Sequence, residues 1–207
     1  MLDIHLLHIL ANGVKYYKAS RALFDPLFYT FAESMKARIF AELNRQPISF
    51  DTAFQNRKSG GLPLITVENS EQIFPNQSLA DASGYGEDQF GRRVRWSHTF
   101  TSQTAVINVY TDSMELTRAL QLICRSAILL FTPQLLRAGY ENLLYQGSSA
   151  VYVETQLYEG GTAAYATTLT YSALHHHIIP VYQDDLTAIG APEADYLINI
   201  ELPTRIT

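Results

Sequence analysis

The residues best able to do chemistry lie near one end of the chain. There "YSALHHHIIPVYQDD" sets His175, His176 and His177 ahead of Asp184 and Asp185. Side chains alternate along a strand, so His175 and His177 share one side and His176 takes the other. Two imidazoles at i and i+2 can chelate one divalent ion. His98, on the apolar side of its own strand, would complete a three-histidine zinc site with one position open to water. Two features oppose that reading. Ile178, Ile179 and Pro180 mark a strand end instead of a cleft, and no carboxylate stands where a general base is needed. The expectation is that the triplet serves packing or an interface and holds no functional metal, with Asp184 and Asp185 forming the turn that follows.

Other catalytic templates fail on spacing. The chain has no G-x-x-x-x-G-K-[ST], no G-x-G-x-x-G after a strand, no H-E-x-x-H and no G-x-S-x-G. Ser148 and Ser149 in "QGSSA" read as turn residues at a strand entrance. Cys124, the single cysteine, lies within an apolar helical pattern, where a core thiol is inert. Arg92, Arg93 and Arg95 beside Trp96 are the one basic cluster, read as a solvated strand edge. No catalytic residue and no cofactor are expected.

Composition points to assembly. Only 17% of the 207 residues are charged, while 13 are Tyr and 10 are Phe. Interface cores are poor in charge and rich in aromatics, so part of this surface is expected to be covered by partners. A net charge of −5 argues against wrapping nucleic acid. One cysteine excludes an intramolecular disulfide framework and Cys-rich zinc sites. "MLDIHLLHIL" lacks a basic leader and is too short to span a bilayer, and no other apolar run approaches a span. A soluble protein folded in a reducing cytoplasm is expected.

The elements that must position these residues are legible in outline. Ile4, Leu7, Leu10 and Val14 predict a helix from residue 3 to about 20. Asp25-Pro26 predicts the start of a second, carrying Leu27, Phe31, Met35 and Ile39 and ending near Pro47. Period-two patterning predicts paired strands in "VRWSHTF" and "TAVINVY". Asp112 with Glu115 predicts the start of a long helix bearing Leu116, Leu120, Ile123, Ala127 and Leu130. Leu122, Leu129 and Phe131 add a second apolar side to it, leaving Arg118, Gln121 and Arg125 as a narrow polar stripe. Such a helix should be covered from two directions, by the sheet and by the N-terminal helices or a neighbouring subunit.

After it, a hairpin closed by Gly160 to Thr162 would pair Val151 with Tyr171, Val153 with Leu169 and Leu157 with Tyr165. "DYLINIEL" is a last short strand. The expected fold is α+β: an antiparallel sheet with helices on one face, two N-terminal helices and a long extended arm. It forms a single domain over residues 1–207, with a helical part over 1–50, the arm over 55–93 and a sheet-and-helix core over 94–207. The arm contains a short strand, "LPLITVE", and otherwise lacks a sustained period. Its Ile73, Phe74, Tyr85 and Phe90 are scattered among polar residues and are the candidate oligomer-interface anchors.

The run "VINVYTDSMELTRALQLICRSAILL" with "AGYENLLYQGSSAVYVETQLYEGGTAAYATTLTYSA" resembles the neck and tail-completion proteins of tailed bacteriophages, tail terminators most of all. The resemblance spans about half the chain. It lies in the order of strand, short polar turn, long helix and hairpin, and not in an invariant motif. It implies a virion structural protein without catalysis or cofactor, acting in the tail or neck and assembled in the host cytoplasm. Its form would be a homo-oligomeric ring, commonly hexameric, that ends the tail and docks it to the head connector. Other neck, tail-tube or sheath proteins would be its partners. DNA would pass through the lumen without being read, and no membrane would be involved. A connector or adaptor ring, a baseplate protein and a metal hydrolase using His98, His175 and His177 are the competing classes.

Overall fold

A computed structural model describes residues 2–52, 61–73, 84–87, 90–154 and 164–182. Helix α1 (Leu2–Ala19) buries Leu2, Leu6, Ile9, Leu10, Val14 and Tyr17, one stripe at helical spacing. Ser20 then opens a single turn, α2 (Arg21–Phe24), its Oγ accepting from Ala22 N at 3.1 Å. Asp25-Pro26 does not begin the next long helix, as the sequence suggested. It sits in a 3₁₀ turn, Asp25–Phe28, and α3 spans Glu33–Arg45. The Asp25 carboxylate that would have capped a helix is held one turn back by Arg21, at 3.1 Å.

Among the described residues the sheet has seven strands: β1 (Ser49–Thr52), β2 (Leu64–Ile73), β3 (Gly84–Glu87), β4 (Arg93–Thr111), β5 (Tyr140–Ser148), β6 (Tyr152–Glu154) and β7 (Ala164–Tyr182). Their order is β1-β2-β4-β7-β5, with β3 paired to β4 and β6 to β7. The α+β class stands, with a mixed sheet: β1 runs parallel to β2 at one edge, whereas β3–β4, β5–β7 and β6–β7 are antiparallel. Two further expectations are corrected, and one strand is added that the sequence reading did not include. "VRWSHTF" and "TAVINVY" are one continuous strand, β4, not a pair. Val153 faces Tyr165 in place of Leu169, so the predicted hairpin register is off by four residues. Residues 140–148, which have no clean alternation, form β5 and pair with β7.

The long helix α4 (Met114–Arg137) is capped by Ser113, whose Oγ accepts from Leu116 N at 3.3 Å. Asp112, expected in that role, instead faces Arg45 at 3.8 Å. The cap is held by threonines: Ser113 N donates to Thr111 Oγ1 at 3.0 Å, and the Thr117 hydroxyl donates to Ser113 O at 2.9 Å. α4 is long and apolar enough to cross a membrane by length and composition, contrary to the sequence expectation. Its buried side carries Leu116, Leu120, Ile123, Cys124, Ala127 and Ile128, and joins α1, α3 and the odd-numbered residues of β2, β4 and β7 in one core. That packing is what a core helix makes.

The opposite sheet face is ordered by hydrogen bonds. Asn108 Nδ2 donates to Thr66 Oγ1 (3.5 Å) and Glu68 Oε1 (3.4 Å), and its Oδ1 accepts from the Thr168 hydroxyl at 3.0 Å. Leu64, Tyr110 and Ala166 bury one another on the same face. This polar row ties β2, β4 and β7 in register, since a slip of one residue would leave Asn108 without its partners.

The chain groups into two compact units, Met1–Gln72 with Ser102–His175, and Ile73–Thr101 with His176–Thr207. The first holds the helices and the core described above. Within the second, β3 pairs Tyr85 with Arg95.

Candidate interaction surface

The expected site residues fall into separate environments. In the first unit, His175 is buried and stacks on Tyr140 with ring centroids 4.3 Å apart and planes 18° from parallel. Tyr140 in turn meets the edge of His5 at 5.6 Å. In the second unit, His176 stacks on Phe100 at 4.5 Å. The side chains of His98 and His177 lie outside the described residues, as do Asp184 and Asp185. Among the described residues no three His, Cys, Asp or Glu side chains come together as metal ligands do. His175 and His176 are packed face to face with aromatic rings, an arrangement that uses the flat surface of the ring.

Burial pushes the Cys124 thiol up to about 12, and it is fully enclosed, so it is not a nucleophile. Ser149 ties the end of β5 to β7: its N donates to Thr168 O at 2.9 Å and its Oγ accepts from Thr168 N at 3.0 Å. Ser148 faces Leu169 within the β5–β7 ladder. Ser148 is thus the last residue of a strand, not the turn residue the sequence suggested, and Ser149 follows that strand's end. Arg92 lies over the Phe90 ring at 5.6 Å, and Arg93 is exposed at the start of β4. The Arg95 side chain lies outside the described residues.

Of the four interface anchors, Phe90 stands 73% exposed at a turn. Ile73 is the last residue of β2 and Tyr85 is in β3, with side chains outside the described residues; Phe74 lies outside them altogether. Parts of the arm are therefore regular strand, since β2 continues to Ile73 and β3 returns along β4.

The surface that sequence reasoning missed is the outer side of α4. Leu130, expected in the core, is half exposed, and Leu129 and Leu136 are more so, at 67% and 53%. Arg118 and Arg125 are exposed as the polar stripe required, and Arg125 lies over the Tyr145 ring of β5 at 4.7 Å. Along this side Arg118, Leu122, Arg125, Leu129, Thr132 and Leu136 recur at alternating intervals of four and three, the spacing of a helix seam. Leu122 is half-buried against the core, and the seam passes from it into open surface. The signal was present as leucines at 122, 129 and 136, seven apart. Counted only as apolar residues of a core helix, they look identical to buried ones.

From Thr117 to Arg137 the helix has three arginines and no carboxylate. Arg118, Arg125 and Arg137 form no ion pair among the described residues. Beside the seam runs β5, an end strand of the sheet order, with Asn142 at φ 51°, Gly147 at φ 149° and two register shifts against β7. Such irregularity discourages a further strand from pairing there. Among the described residues this surface is apolar, with cations at intervals. No protein-family model and no curated protein matches the chain.

Proposed function

We propose that this chain is a structural protein of a tailed-phage virion, forming a ring at the head–tail junction that terminates the tail and docks it to the head connector. The observation that carries the reading is the run from Val106 to Ala173. In it the end of β4 leads through the polar turn Thr111–Ser113 into the 24-residue α4, and then into strands that pair back on β7. That is the order on which the resemblance to tail terminators rests. The exposed leucines of α4 and the low charge of the chain support it, because a ring subunit must keep apolar surface for its neighbours. In this reading the protein has no catalysis and no cofactor. The acidic balance suits a DNA conduit, which should not grip phosphates.

The test is the mass and shape of the purified chain. Light scattering should give a discrete oligomer, and negative-stain images should show closed rings. A monomer at micromolar concentration would overturn the reading.

A further inference from the structure

The α4 seam needs an occupant, and the chain carries a segment of matching chemistry. Residues 183–207 lie outside the described residues and follow directly on β7. They hold five carboxylates (Asp184, Asp185, Glu193, Asp195 and Glu201) against one cation, Arg205. In "DYLINIEL" the apolar Tyr196, Ile198, Ile200 and Leu202 alternate with Asn199 and Glu201. The seam offers the complement: leucines at 129 and 136 in open surface, and Arg118 and Arg125 without carboxylate partners among the described residues. Twenty-five residues, at roughly 3.3 Å each when extended, can cross a gap on the order of 80 Å, which is ample to reach a neighbouring molecule.

We propose that residues 183–207 of one copy bind the α4 seam of a second copy, their apolar side chains on Leu129 and Leu136 and their carboxylates on Arg118 and Arg125. The irregular edge of β5 favours recognition by side chains over strand addition. A segment that leaves one subunit and seats on the next makes a head-to-tail contact, the kind that closes a ring. The inference deepens the ring reading and rests on it for the choice of a second copy.

The test uses the full chain with a photo-crosslinking residue at position 129, assembled from a mixture of isotope-labelled and unlabelled chains. Mass spectrometry should find crosslinks from 129 into 183–207 that join labelled to unlabelled chains. Arg118→Glu with Arg125→Glu should lower their yield at least fivefold. Adding Asp184→Lys and Asp185→Lys to that variant should restore it. Circular dichroism checks that each variant is folded, and Leu136→Gln, on an exposed position, provides a second disruption that leaves the charges intact. Crosslinks confined to one isotope, directed elsewhere, or insensitive to charge reversal would overturn the proposal. Rings whose crosslinks miss 183–207 would overturn it and leave the ring reading standing. Open chains or dimers with mixed-isotope crosslinks would overturn the ring and leave the contact.

Discussion

Tyr140 shows how one residue can be well packed and still costly. Its ring lies between His5 and His175, yet its hydroxyl is buried with no hydrogen-bond partner among the described residues. An unsatisfied buried polar group costs roughly 1–3 kcal/mol, so Tyr140→Phe should leave stability unchanged or raise it by up to about that amount in urea melts. The same burial, followed by the charges of Asp3 and Glu71, pushes the Tyr140 phenol up to about 12. Tyr171 is pushed higher still, mainly by burial. A raised phenol keeps its proton in the folded state after the unfolded chain has lost it. Stability is therefore full below about pH 10 and falls as pH rises from 10 towards 12. Denaturation midpoints taken from pH 9 to 11.5 should decline, and Tyr140→Phe should decline less steeply. An equal slope in the two proteins would show that Tyr140 is not the titrating group. At this scale the sequence could say that His175 belongs to a strand's apolar side, because alternation decides that. It could not say that the partner ring comes from Tyr140, 35 positions earlier.

Among elements, α1 and α4 approach closely. A Cβ placed on Gly13 would sit 2.2 Å from Ala127 Cβ and 3.3 Å from its Cα, so the crossing depends on one residue having no side chain. Gly13→Ala gains about 1 kcal/mol of helix propensity but forces the helices apart, and overpacking of this kind costs roughly 1–3 kcal/mol or more, so a net loss is expected. Ala127→Gly in the same chain moves the glycine to the other helix and should recover most of that loss, a coupling that a double-mutant cycle measures. Independent, additive losses would mean that the two positions are not in contact. Leu120→Ala, in the same core, should cost on the order of 2–5 kcal/mol, whereas Arg118→Ala on the exposed side should change unfolding by about 0.5 kcal/mol or less. The helices α1 and α4 were legible because apolar residues recur along them at helical spacing, although Ile4 and Leu130, read into those stripes, are exposed. The length of β4 was not. Its core-facing positions include the polar Thr101 and Gln103, both buried, and these look like a turn when only apolar residues are counted. β5 was hidden by its register shifts, which destroy the period of two.

For the molecule as a whole, the proposed ring raises the question of which exposed apolar groups would serve assembly. The long arm was read as one interface segment, but β2 takes it as far as Ile73 and β3 takes Gly84–Glu87. Replacing 70–91 wholesale would therefore remove strand pairing along with any contact surface. Phe90 escapes that objection. It lies at a turn, is 73% exposed and has the Arg92 guanidinium over its ring, and a change at so exposed a position is expected to cost the subunit little. An exposed aromatic ring of this kind gains most of its free energy when a second surface excludes water from it, at about 25 cal/mol per Å² of apolar area covered. Phe90→Ser should therefore leave the melting temperature within about 2 °C of the parent, since surface changes are usually worth less than about 0.5 kcal/mol. It should also shift assembly, followed by light scattering over a dilution series, to higher protein concentration. A variant that melts early would place Phe90 in the stability of its own unit. One that assembles at the parent's concentration would remove it from the interface and leave the α4 seam as the surface to pursue.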